Sequence, residues 1–216
     1  MDGVLVDTEP VHFQAYIKHF QELDINVEND LYQTFIGSST KNIYARIKEI
    51  YNLPNELKDL IGRKRELFAQ EFEKTTSVYL MKGVLELIKE LHHGGIQLIV
   101  ASSSSYDNIN SVFKKFDIDK YFTHKVSGED FAESKPNPAI FLKAVELSGH
   151  QKEECIVIED STNGIKAANR AGIFVIGYQS AESIQDYSSA NKVIRHYNEI
   201  TFETIRDITS PTLIKK

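Results

Sequence analysis

The chain has 216 residues, with 25 Lys+Arg against 31 Asp+Glu for a net charge of −6, and is 41% hydrophobic and 26% charged. That is enough apolar material for one large domain or two small ones with a packed core, and it excludes the low-apolar, highly charged class of disordered chains. The mild acidic balance offers no clustered Lys and Arg for nucleic acid or an anionic membrane surface. No apolar run reaches the roughly 18 residues of a membrane helix, and the start Met1-Asp2-Gly3 carries no basic leader. The single cysteine, Cys155, rules out an intramolecular disulfide and lies in the apolar run Cys155 to Ile158 as a small buried hydrophobe. A cytoplasmic protein, neither spanning a membrane nor secreted, is expected.

From about Val11 to Phe72 the apolar residues recur at helical spacing: Phe13, Tyr16, Ile17 and Phe20, then Ile43, Ile47 and Ile50, then Leu60, Ile61, Phe68 and Phe72. This part reads as all helix. Its breaks fall at Gly37-Ser38-Ser39-Thr40, where Ser39 or Thr40 can cap the next helix, and at Asn52-Leu53-Pro54-Asn55. The pattern changes near Tyr79 to Gly83. Beyond it the spacing predicts helix Val84 to Leu91, strand Ile96 to Ala101, helix Tyr106 to Phe116 and a short strand around Lys125 to Ser127. A helix from Pro138 through Val145, strand Cys155 to Glu159, helix Gly164 to Ala171 closed by Gly172, and strand Phe174 to Ile176 follow. Strands apolar on both faces and separated by helices predict an α/β fold, a Rossmann-like parallel sheet flanked by helices.

In an open parallel sheet, ligands bind beyond the carboxyl ends of the strands. Ser102 follows one strand, Lys135 lies in the loop after another, Glu159 and Asp160 close a third, and Asp2 precedes Val4-Leu5-Val6. Acids, a hydroxyl and an ammonium group suit a phosphate ester with Mg²⁺, because the metal takes hard oxygen ligands and the cationic and hydroxyl groups stabilise charge on the phosphoryl oxygens. Taken singly, Glu159-Asp160-Ser161 also reads as a helix cap, Lys135-Pro136-Asn137-Pro138 as a turn, and Ser102 to Ser105 as a solvated loop. The joint pattern at four strand ends favours the site.

At these residues the sequence resembles the haloacid dehalogenase-like hydrolases, in the branch of small phosphatases and phosphomutases that includes β-phosphoglucomutase. Met1 to Pro10 resembles the family's first motif, Val100 to Ser104 its second, Lys135 to Pro138 its third, and Val157 to Ser161 with Gly164-Ile165 and Ala167-Ala168 its fourth. The resemblance implies a core domain of residues 1–7 and 81–216 and an inserted helical cap of residues 8–80 whose closure excludes water and selects the substrate. It also implies catalysis through an aspartyl-phosphate, with Asp2 as acid/base, and with Ser102 and Lys135 holding the transferring group. Asp160, Glu159 and Asp2, the last through its backbone carbonyl, are the implied Mg²⁺ ligands. Ser103, Ser104, His12 and Lys41 are the implied substrate contacts. The implied ligand is a small phosphorylated metabolite, such as a sugar phosphate, and a monomer is expected.

Three departures bear on this. The family's nucleophile lies two positions before the residue matched by Asp2, one position ahead of Met1, so an upstream strand carrying it is expected. Without that strand, backbone groups of its neighbours would be orphaned. Ser105 stands where β-phosphoglucomutases carry a lysine, and Thr40, with Lys41 beside it, where their cap carries an arginine, which weakens the mutase reading relative to a phosphatase. A non-catalytic metabolite-binding protein is the alternative of another class. No dinucleotide or P-loop signature is present.

Overall fold

The computed structural model describes residues 1–36, 38–181 and 183–209. Two units divide the chain: Asp7–Tyr79, and Met1–Val6 together with the chain from Leu80 on.

The first unit is helical. It comprises α1 (Glu9–Glu22), the short α2 (Asn29–Gln33), α3 (Thr40–Tyr51) and α4 (Leu57–Lys74). Pro10 sits in the first turn of α1, where a missing N–H costs nothing. Ser39 caps α3 by accepting from the Asn42 N–H at 3.2 Å, and Asn52 ends it in the left-handed region. Of the residues expected at that first break, Gly37 lies outside the described ones. The helical stripes meet in a core of Tyr16, Phe20, Tyr32, Tyr44, Ile47 and Leu60. α2 is five residues long, too short to show a period in the sequence.

The second unit alternates helix and strand: α5 (Val84–His93), β1 (Ile99–Ser102), α6 (Tyr106–Phe116), β2 (His124–Ser127), α7 (Ala139–Ser148), β3 (Ile156–Glu159), α8 (Thr162–Ala171), β4 (Phe174–Tyr178), β5 (Lys192–Ile194) and α9 (Phe202–Thr209). Every ladder is parallel. β1 pairs with β2, bringing Ser102 beside Ser127; β3 pairs with β4, and β4 with β5. α7 packs on β1, β2 and α8, α8 on β3 and β4, and α6 on β2. Val126, Ile140, Phe141, Ile165, Ala168 and Val175 form the core beneath α7 and α8, while α5 packs against α9 and the turn Asp119–Tyr121 that follows α6.

The sheet is divided. It consists of β1-β2 and β3-β4-β5, and among the described residues no ladder joins β1 to β3. Val4-Leu5-Val6 does not fill the interval. The segment Met1–Val6 folds into a tight turn in which the Met1 carbonyl accepts from the Val4, Leu5 and Val6 N–H groups, and among the described residues its sheet-like contacts are isolated bridges at Asp2, Val6 and Leu80. A groove of about 430 Å³ lies between the two halves, lined by residues of β1, β3, α5 and α7.

Candidate active site

Ser102, Ser127 and Glu159 each end a strand, so three polar groups emerge on one edge of the α/β unit. The turn Met1–Val6 reaches the same edge. The Asp2 carboxylate accepts from the Ser104 hydroxyl at 2.7 Å and the Ser102 hydroxyl at 3.3 Å, and Ser102 Oγ in turn accepts from the Ser104 N–H at 3.1 Å. Ser127 fixes this loop, since its hydroxyl donates to the Ser104 carbonyl at 2.7 Å. Ser103 is exposed, and a Cβ at Gly128 would sit 3.0 Å from its Cα. Ser105 caps α6 by accepting from the Asn108 N–H at 3.3 Å.

The other side of the edge is built on an ion pair. Lys135 Nζ lies 2.5 Å from Glu159 Oε1 and 4.7 Å above the Phe141 ring, and both side chains are nearly excluded from solvent. The second carboxylate oxygen of Glu159 accepts from the Asp160 N–H at 3.0 Å, the Ser161 N–H at 3.1 Å and the Ser161 hydroxyl at 3.0 Å. Burial opposes ionisation of Glu159, yet the charge and hydrogen bond of Lys135 outweigh it and hold the carboxyl below its ordinary range. Capping of α8 falls to Ser161, whose hydroxyl accepts from the Gly164 N–H at 3.1 Å. Asp160 is thereby left out of the cap. Its main-chain carbonyl accepts from Tyr187 Oη at 2.7 Å, and its carboxylate lies against Gly3.

A family model described as haloacid dehalogenase-like hydrolase matches residues 1–178. The chain belongs to the haloacid dehalogenase-like hydrolases. It is 30% identical over 188 residues to a phosphorylated carbohydrates phosphatase of Thermotoga maritima, covering 86% of this chain and 85% of that one. Over 212 residues it is 28% identical to a β-phosphoglucomutase of Bacillus subtilis, covering 96% and 92% of the two chains. The crystal structure of CbbY from Rhodobacter sphaeroides in complex with phosphate superposes with a TM-score of 0.83 at 25% identity, covering 92% of each chain.

This hydrolase's acidic residues fit a hard divalent cation in a particular way. Mg²⁺ needs few protein carboxylates, because substrate oxygens and water complete its octahedron. Among the described residues no three His, Cys, Asp or Glu side chains converge as a metal cluster. Glu159 is turned toward Lys135 and the amides that follow it, which leaves the Asp160 carboxylate and the Asp2 main-chain oxygen of the expected set. Burial first, and then the neighbouring Glu159 charge, push the Asp160 carboxyl up to about 7. A cation is the natural compensation for such a group.

The sign of that shift gives a test. Unfolded, Asp160 ionises near 3.9; folded, it ionises near 7. Folding therefore takes up a proton between those values, and the stability Asp160 contributes is fully present below about pH 4 and lost as pH rises through 7. Asp160→Asn keeps the shape and removes the titration. Without divalent cation, it is expected to gain roughly 3 to 4 kcal/mol over the wild type on going from pH 4 to pH 8, read from urea unfolding midpoints. Equal differences at the two pH values would mean that Asp160 is not strained by its surroundings.

The remaining candidates, His12 and Lys41, belong to the helical unit. His12 on α1 stacks on Phe68 at 4.3 Å, and its Nδ1 lies 2.6 Å from Lys64 Nζ. An ammonium at Lys64 would donate to that ring nitrogen. Lys64 is itself buried on α4, 4.5 Å above the Tyr16 ring. Lys41 is exposed on α3. Sequence reasoning did not single out Lys64, Ser127, Tyr187 or Gly3. A lysine at an apolar position of α4 was the available signal for the first, and a polar residue closing an apolar strand for the second.

Proposed function

We propose that the chain forms the body of a Mg²⁺-dependent phosphomonoesterase that acts on a small phosphorylated metabolite, a sugar phosphate, through an aspartyl-phosphate. The observation that carries this reading is the Asp2 carboxylate, held by two hydroxyls at the carboxyl edge of the strands, with Asp160 and the Lys135–Glu159 pair on the same edge. The names of the Thermotoga maritima and Bacillus subtilis relatives support the substrate class. The nucleophile in this reading is an aspartate two positions ahead of Asp2. Its oxygen attacks phosphorus in line while Asp2 gives its proton to the leaving oxygen. Asp2, now a carboxylate, then takes a proton from water, whose oxygen attacks phosphorus and frees both phosphate and the aspartate.

Ser102 donates to the phosphoryl oxygens and Lys135 neutralises them, with Glu159 setting the position of the ammonium. Ser103 and Ser104 continue the same loop toward substrate, and His12 and Lys41 are the contacts of the helical unit. Asp160 and the Asp2 main-chain oxygen are the groups that would hold Mg²⁺. When bound, Mg²⁺ supplies charge stabilisation for the transferring phosphoryl group.

A mutase is the second reading, favoured by the Bacillus subtilis relative and disfavoured by Ser105 and Thr40, which leave no second cationic phosphate site at those positions. With the aspartate in place ahead of Asp2, hexose 1-phosphates and Mg²⁺ are expected to yield free phosphate and sugar. Hexose 6-phosphate as the main product would replace the phosphatase with a mutase. Neither product from a broad panel of phosphorylated metabolites would sink both.

A further inference from the structure

Asp160 stands at the bend between β3 and α8, outside both elements. Its Cα is gripped from either side. The Asp160 N–H donates to Glu159 Oε2 at 3.0 Å, and the Asp160 carbonyl accepts from Tyr187 Oη at 2.7 Å. With the peptide on each side of the Cα held, the Cα–Cβ bond points one way, and the carboxylate comes to lie against Gly3. The first hold is local. The second reaches across from residues 183–191, the segment that precedes β5.

That segment is fastened so as to present Tyr187. It docks on the first turn of α8, where the Thr162 N–H donates to Gln185 Oε1 at 2.9 Å and Thr162 Oγ1 accepts from the Asp186 N–H at 2.8 Å. Asn169 Nδ2 holds its far end, donating to the Ser189 carbonyl at 2.7 Å. The Tyr187 ring is buried against Gly177 of β4, where a Cβ would sit 2.8 Å from Tyr187 Cδ1, so the missing side chain makes the room. The direction of the hydroxyl follows by elimination. A carbonyl cannot donate, so the Tyr187 proton goes to Asp160, Ser183 gives its own proton to Tyr187 Oη at 2.8 Å, and Ser183 Oγ accepts from the Gln185 N–H at 3.2 Å. In such a directed chain each bond polarises and strengthens the next.

We infer that Tyr187 is a positioning residue of the cation site: its hydroxyl fixes the Asp160 peptide and thereby aims the Asp160 carboxylate. The cation part of this role rests on the proposed assignment of Asp160 as a Mg²⁺ ligand, whereas the aiming of the carboxylate at Gly3 does not. Partners one bond removed from a metal ligand carry about 10- to 100-fold of metal affinity.

The test compares Tyr187→Phe, which keeps the ring and removes the donor, with Asn169→Ala, which releases the same segment at its far end. Each is followed by calorimetric titration with Mg²⁺ and, without metal, by the Gly3 amide resonance in ¹H–¹⁵N NMR. Tyr187→Phe is expected to weaken Mg²⁺ about 10- to 100-fold and to shift the Gly3 amide, while Asn169→Ala leaves both as in the wild type. Equal effects of the two variants would make Tyr187 a strut of its segment and overturn the inference, as would wild-type Mg²⁺ affinity or an unmoved Gly3 resonance in Tyr187→Phe. If the wild-type protein itself binds no Mg²⁺, the ligand role of Asp160 falls, and the Gly3 comparison alone decides whether Tyr187 aims the carboxylate.

Discussion

Replacing Lys135 with alanine is expected to destabilise the α/β unit by about 3 to 5 kcal/mol, the range for removing one partner of a buried ion pair. The reason lies in what stays behind. Glu159 keeps its burial and its bonds from the Asp160 and Ser161 N–H groups but loses the one ammonium that, among the described residues, lies within ion-pair distance of its carboxylate. Lys135→Ala combined with Glu159→Gln should recover most of the loss, because a neutral amide in that position needs no counter-charge. Urea unfolding of the two single variants and the double variant measures the coupling. A Lys135→Ala loss below about 1 kcal/mol would show that the pair is hydrated and that Lys135 belongs to a turn and nothing more.

Gly3→Ala should produce the other large effect, and on function more than on stability. Gly3 has φ +67°, and a Cβ there would sit 1.9 Å from Asp160 Oδ2 and 2.6 Å from its Cγ, so the carboxylate has to move. Gly149 separates strain from displacement. It has φ +72°, and a Cβ there would meet nothing within 4 Å. Both variants should lose about 1 to 3 kcal/mol of stability through the left-handed backbone. Only Gly3→Ala should also weaken Mg²⁺ at least tenfold in calorimetric titration, because it alone displaces a proposed ligand. Equal Mg²⁺ affinity in the two variants would remove Asp160 from the metal site.

Much of the fold is legible in local pattern. Periodicity marks α1, α3 and α4, and the span Tyr106 to Phe116 coincides with α6, because each of these helices buries a continuous stripe. β3 and β4 show as short apolar runs, β4 with Val175 to Tyr178 buried and β3 with its three aliphatic residues half-buried. β5 does not show. It is three residues, Lys192-Val193-Ile194, of which only Ile194 is fully buried, and such a segment carries no period. α9 was also missed, lying beyond the last strand the pattern marked, with Ile205 its one buried residue. At the site, strand-end position pointed to Ser102, Lys135, Glu159 and Asp160. The pairing of Lys135 with Glu159 joins residues 24 apart, and the hold of Tyr187 on Asp160 joins residues 27 apart. Neither distance leaves a trace in spacing. The choice of Ser161 as the cap of α8 likewise depends on where the Glu159 carboxylate turns, which no local pattern encodes.

The central proposal is that the edge carrying Asp2, Ser102, Lys135 and Asp160 serves phosphoryl transfer to an aspartate two positions ahead of Asp2. The most direct test joins an apolar strand ending in aspartate to Met1 and compares it with the same strand ending in asparagine, following phosphate release from sugar phosphates in Mg²⁺. The account predicts steady phosphate release from the aspartate form and none above background from the asparagine form. Equal rates in the two forms, or no release from either, would contradict it.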